Sequence, residues 1–278
     1  MLPLVLYFLV CFLFGSLSWA LHWGPASQVL VLLMGLAIFP LQKYVHKATI
    51  ASLGFRWCTW GQIARGLALP VILLGSAGLG DLISGTAEIR PLTALHNPFS
   101  GTQVSSISGL LGILALNGAI LFLLEFVTEE LMFRGYLLGK LLPLGELKAL
   151  GISSMVFCLW HLPIAVWGAG FSTLRAPLYL VNMLLLGASL SLLFMESRSL
   201  IPVAAFHALW NSLEYNLFGF MDQQALFVGK SRVLFDPEQG FAGTVVLMLS
   251  VTFLLWRRHR SRRISEIQER AMEVPAGT

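Results

Sequence analysis

Four residues of this 278-residue chain have the types and spacing for hydrolytic chemistry: Glu129, His161, His207 and Asn211. Each lies in or beside an apolar stretch, where a charge near mid-bilayer costs about 2.5–3.5 kcal/mol on insertion scales and so defaults to a functional reading. A carboxylate and two imidazoles in a partly dry site suit the activation of water. Two neutral histidines and one glutamate would leave a divalent metal such as Zn2+ an open position for water. Without a metal, a buried glutamate serves as general base, with histidine and asparagine stabilising an oxyanion. The HExxH signature of soluble zinc enzymes is absent, so any metal held by Glu129, His161 and His207 is assembled across helices.

Helical spacing assigns the supporting residues. Glu130 and Arg134 are i,i+4 with the acid first, the favourable order for an ion pair. At about 100° per residue, Glu129 falls on a different face from Glu130 and is left for chemistry. Glu125 lies one turn before Glu129 and reads as structural. His207 and Asn211 share a face, and Glu214 beyond them is placed to orient the His207 imidazole. Phe157 is i,i+4 to His161, so its ring shapes the wall beside that imidazole, and with Trp160 it limits water access. Each set alone has a structural reading as an ion pair or a hydrogen-bonded core histidine. Three sets converging at similar depth do not.

Membrane helices must carry these residues. The chain is 56% hydrophobic and 12% charged, with a mean hydropathy of +0.78, where soluble domains carry about 25% charged residues. Disorder, coiled coil, collagen and nucleic-acid binding are excluded, which leaves an all-α polytopic membrane protein. Eight apolar spans cross, or nearly cross, about 30 Å of hydrocarbon. They run over residues 2–21, 28–41, 63–83, 108–128, 151–167, 176–195, 200–218 and 241–256. The first has no Lys or Arg ahead of its apolar run and reads as a retained helix rather than a signal peptide. Residues 1–256 read as one membrane domain and 257–278 as a basic tail. Cys11, Cys58 and Cys158 form no CxxC and read as small core residues.

Eight spans return the chain to the side on which it starts. Fourteen of the eighteen basic residues then share the terminal side, and only Arg90, Arg175, Lys230 and Arg232 lie opposite. That bias places both termini in the cytoplasm of a multi-pass cell-membrane protein. The connections 84–107 and 219–240 contain Asn97-Pro98 and Asp236-Pro237 and read as non-cytoplasmic loops. The arginine-rich tail reads as a topology signal. By the helical rise, Glu129, His161 and His207 lie about 10–16 Å below the cytoplasmic surface, with water reaching them from that side.

Three segments also carry a resemblance. EELMFRGYLL at 129–138, FCLWH at 157–161 and HALWN at 207–211 resemble the EExxxR, FxxxH and HxxxN motifs of the CPBP family, the CAAX proteases and bacteriocin-processing enzymes. The resemblance covers about 107–219 and implies an eight-helix intramembrane endopeptidase, its all-α catalytic core built from the fourth to seventh helices. Glu129 resembles the family's water-activating glutamate, with Glu130 and Arg134 completing that motif. His161 and His207 resemble its catalytic histidines, and Asn211 its oxyanion-stabilising asparagine. The family has been described both as metalloproteases and as metal-independent glutamic proteases, so the resemblance implies Zn2+ or another divalent metal, or none. The implied partners are membrane lipid and a peptide or protein substrate, CAAX-like or membrane-associated, and no nucleic acid. Bacterial members also include immunity and regulatory proteins. The alternative class, an ion-coupled transporter, would need broken helices in both halves of the chain, whereas the intramembrane charges here all lie from Glu125 onward. A bis-histidine haem would leave Glu129, Glu130 and Arg134 unexplained.

Overall fold

The computed structural model describes residues 1–97, 100–168, 171–219 and 225–273. Its exterior is largely apolar, and its mostly apolar core also encloses charged and polar groups. Leu13, Ile83 and Leu123 are mostly exposed, while Glu130, Arg134, Asn117 and Glu214 are completely buried. A fold with leucines outside and an ion pair inside suits hydrocarbon as solvent, where backbone polar groups must be satisfied within the helices themselves.

The helices are α1 Leu2–Ala20, α2 Pro25–Pro40, α3 Trp60–Ser84, α4 Ile107–Glu125, α5 Gly139–Leu141, α6 Glu146–Trp160, α7 Arg175–Ser197, α8 Ile201–Leu213, α9 Arg232–Phe235 and α10 Phe241–Glu273. Seven described helical stretches are long and apolar enough to cross a membrane: Leu2–Ala20, Ala26–Val45, Trp60–Ser84, Ile107–Leu144, Glu146–Gly168, Arg175–Ser197 and Phe241–Ile264. The chain is an all-α polytopic membrane protein. The remaining expected span, 200–218, is α8 continued by a wider turn at Glu214–Phe218. It is less apolar because it is enclosed: α8 packs on α3 and α4, and His207, Asn211, Ser212 and Asn216 are buried there.

Local chemistry fixes where the helices start and how closely they approach. Thr59 and Gln62 form a reciprocal capping box at the start of α3, satisfying two otherwise orphaned backbone donors. The Ser106 hydroxyl accepts from the Gly109 amide at 3.1 Å to begin α4. A Cβ at Gly35 would run into the carbonyl oxygen of Val127. Helix α2 therefore packs directly against the backbone that leads to Glu129.

Charge pairs mark one end of the bundle. Glu196 at the end of α7 binds Arg65 at the start of α3, at 2.5 Å, and Arg257 of α10, at 2.8 Å. Glu146 at the start of α6 binds Arg258 at 2.5 Å and also Arg262. The basic tail is thus a continuation of α10 docked on the bundle. At the other end, the two expected loops pair: β1 Ala87–Ile89 runs antiparallel to β2 Phe227–Gly229. Strands of three residues amid turn formers leave no readable period. Pro98 of the expected Asn97-Pro98 turn, and the tail beyond residue 273, lie outside the described residues.

Candidate active site

After α4 the backbone hydrogen bonds shift to i→i+5 and stay so over Phe126–Leu138. Such a helix has more residues per turn than the roughly 3.6 of an α-helix, so separations of four and five both approximate one turn. Glu125 consequently lies about one turn from both Glu129 and Glu130, while those two neighbours point to different partners. The Glu130 Oε1 atom lies 2.7 Å from His207 Nδ1, and Glu125 Oε2 lies 3.8 Å from the same nitrogen. Ligand atoms of Glu125, Glu129 and His207 fall within 4.8 Å of one another. The Ile164–Gly168 and Glu214–Phe218 segments, which follow His161 and Asn211, are wound in the same wide manner.

The expected Glu130–Arg134 pair is present and does more than hold a helix. Arg134 donates from Nη1 to Glu130 Oε1 at 3.0 Å and from Nη2 to the Gly187 carbonyl at 3.3 Å. Its guanidinium lies 4.2 Å from the centroid of the Phe157 ring, a stacked arrangement that suits a planar, weakly hydrated cation. Glu130 therefore ties α7, through Arg134, to His207 on α8. The orienting role expected of Glu214 falls to Glu130. Glu214 is fully buried, and neither of its oxygens has a protein hydrogen-bond partner among the described residues.

His161 has a different anchor. Its Nδ1 lies 2.8 Å from the Phe157 carbonyl, so donation there leaves Nε2 with a lone pair. That Nε2 faces Glu129 Oε2 at 3.9 Å. The other Glu129 oxygen, Oε1, accepts from Trp160 Nε1 at 3.4 Å, while Oε2 is buried with no protein hydrogen-bond partner among the described residues. Both imidazoles thus have Nδ1 against an acceptor, and each can turn Nε2 to its reactants. Asn211 donates from Nδ2 to Glu125 Oε1 at 3.0 Å, which fixes the orientation of its amide.

These groups border a cavity of about 480 Å3 whose lining includes Glu125, Glu129, Trp160, His161, His207 and Asn211. Phe157 stands behind the two imidazoles, its ring centroid 4.6 Å from that of His161 and 6.1 Å from that of His207. Three further lining residues, Tyr179, Tyr215 and Glu238, were not among those read from the sequence. Tyr215 follows Asn211 by four residues, a spacing that could have marked it. Glu238 sits in a connection without helical period and gave no such signal. Asn182 secures that connection by donating to the carbonyls of Glu238 and Gly240, each at 3.0 Å. Burial, and then the neighbouring Asp236, push the Glu238 carboxyl up to about 8.

Residues 111–213 match the family described as type II CAAX prenyl endopeptidase Rce1-like. Over that stretch the chain is similar to Rce1-like endopeptidases. The match supports the CPBP resemblance, and the Rce1-like segment contains Glu125, Glu129, Glu130, Arg134, Phe157, His161, His207 and Asn211. No curated protein matches the chain.

Within the matched stretch the donor set for a cation differs from the one expected. Glu125 stands with Glu129 and His207 in the clustered group, in which His161 is not included. The buried, unpartnered Glu129 Oε2 beside a second carboxylate and an imidazole is a set that fits a divalent cation. The same oxygen opposite the His161 Nε2 lone pair also suits a water molecule that donates to both.

Proposed function

We propose that the chain is an intramembrane endopeptidase, as the family description suggests, and that Glu129 activates the hydrolytic water. The observation that carries this reading is Glu129 Oε2, buried without a hydrogen-bond partner among the described residues and 3.9 Å from His161 Nε2. A water seated against both atoms is aligned for attack, since a general base needs hydrogen-bond reach to the proton it removes. Glu129 takes that proton as the oxygen bonds to the scissile carbonyl carbon. The proton then passes to the departing amine as the carbon–nitrogen bond breaks. Asn211, with one amide hydrogen held by Glu125, offers the other to the oxyanion. His207, oriented through Nδ1 by Glu130, directs Nε2 at the same reacting group. A divalent cation, when bound, would be held by Glu125, Glu129 and His207 and would supply Lewis-acid polarisation and a more acidic water. The substrates are membrane-associated peptides, the general class that the family description supports.

Incubating detergent-purified protein with a lipidated-tail peptide and with a transmembrane-segment peptide, with and without a chelator, tests reaction, substrate class and metal together. Cleavage of either peptide that Glu129→Gln abolishes supports the reading, and sensitivity to the chelator assigns the metal. Failure to cleave either peptide counts against it.

A further inference from the structure

The cavity is lopsided along the bundle axis. Ion pairs join the starts of α3 and α6 to the end of α7 and to α10, so they define the terminal face. The paired strands β1 and β2 define the opposite one. Beyond the catalytic groups, α1, α2, the start of α7 and the segments after His161 and Asn211 line the cavity from the side nearer the opposite face, while Leu121 and Leu124 sit at mid-depth of the continuous 107–144 helix. Trp19 lies at the far end of α1 and Gln28 near the start of α2. Ile164 follows His161, Tyr179 lies near the start of α7, Tyr215 follows Asn211, and Glu238 comes from the 219–240 connection. Gln28 is exposed, so the cavity reaches the molecular surface at the α1–α2 turn.

Toward the terminal face the way is filled. Phe133, Arg134, Phe157, Leu190, Val203 and Phe206 have no exposed surface. The Arg134–Glu130 pair and the Arg134 bond to Gly187 run through this layer. Close-packed interiors of this kind leave no passage for an extended peptide. A separate apolar groove on the terminal side, lined by Met1, Leu4, Leu144 and Val156, meets the catalytic cavity only at Phe12 and Trp160.

We propose that the substrate is a peptide segment displayed at the membrane face opposite the termini, entering past the α1–α2 turn beside Gln28. The direction of entry is the reverse of that expected from helical rise alone. What enters rests on the endopeptidase reading; the side of entry does not, and it is measured without turnover. Thr128, a buried cavity residue one position before Glu129, serves as the probe.

The experiment uses the full chain in membrane vesicles, with Thr128→Cys or Glu129→Cys and a membrane-impermeant maleimide supplied to one face at a time. A protease-cleavable tag after Thr278 reports which face carries the termini. Leu147→Cys, exposed beside Glu146 on the terminal side, is the accessible control for that face. The unsubstituted chain gives the background from Cys11, Cys58 and Cys158. The expected result is labelling of both cavity cysteines from the face opposite the tag and loss of that labelling from the tag face, with Leu147→Cys behaving inversely. Labelling of the cavity cysteines from the tag face, or from neither face while Leu147→Cys reacts, overturns the proposal. Correct labelling without cleavage of any peptide leaves the entry side standing and counts against the endopeptidase reading alone.

Discussion

In the proposed mechanism the neighbours Glu129 and Glu130 have opposite duties, and substitution separates them. Glu130 has no exposed surface and its Oε1 serves both Arg134 and His207. Removing one partner of a buried ion pair typically costs about 3–5 kcal/mol, because the other charge is left uncompensated. Glu130→Gln should therefore lower the melting temperature markedly. Glu129→Gln should keep the melting temperature and lose turnover. Thermal unfolding alongside peptide cleavage checks the pair, and a stable but inactive Glu130→Gln beside an active Glu129→Gln would reverse the assignment. Asn211→Ala should lose about 10²–10³ in turnover, the usual consequence of deleting one oxyanion donor. Glu125→Gln retains an acceptor for the Asn211 amide and should keep more turnover than Glu125→Ala, which a comparison of their kcat values would show. Glu129, His161, His207 and Asn211 were readable as polar groups where hydrocarbon makes them costly. Glu125 was equally visible, yet its part was not, because its partner Asn211 is 86 residues away.

At the scale of elements, the apolar runs announced most of the helices but not their winding. Nothing in FVTEELMFRGYLL signals i→i+5 bonding, since its apolar residues suit either helix. The winding depends on packing, including the approach of α2 to Val127 that only glycine at position 35 permits. Gly35→Ala should cost about 1–3 kcal/mol as an overpacked contact. It should also reduce turnover, because the backbone displaced lies two residues before Glu129. Gly75→Ala in α3 meets nothing within 4 Å and should leave both melting temperature and turnover unchanged or slightly improved. Equal effects of the two substitutions would show that the α2 contact does not position the site. The span 200–218 was readable, and the structure gives it as α8 with its continuation to Phe218, polar because α3 and α4 enclose it.

Across the whole molecule, the partition of basic residues was informative. Residues assigned to one side from the sequence, Arg65, Arg257 and Arg258, are gathered at one end of the bundle by Glu196 and Glu146. The pairing of the two connections through β1 and β2 was not readable, and neither was the arrival of Glu238 at the cavity. From the positive-inside bias we propose that both termini are cytoplasmic. A reporter fused after Thr278 that works only outside the cytoplasm should stay inactive, and activity there would overturn that orientation. Glu238 adds a pH dependence. Its carboxyl is raised from 4.5 to about 8 in the folded chain, so the folded state binds the extra proton between those values. The stability it contributes is present below about 4.5 and is lost as pH rises through about 8. The melting temperature should fall over that window, and Glu238→Gln should flatten the fall. An unchanged slope in that variant would remove Glu238 as its source.

The central claim is that Glu129 activates water against a peptide bond, and isotope incorporation during cleavage tests it most directly. Purified protein is incubated with a membrane-associated peptide in oxygen-18 water, and both fragments are weighed by mass spectrometry. The wild-type chain should yield two fragments, with one heavy oxygen in the new carboxyl group, and Glu129→Gln of unchanged melting temperature should yield none. Equal cleavage by Glu129→Gln, or fragments whose new carboxyl carries no heavy oxygen, would contradict the account.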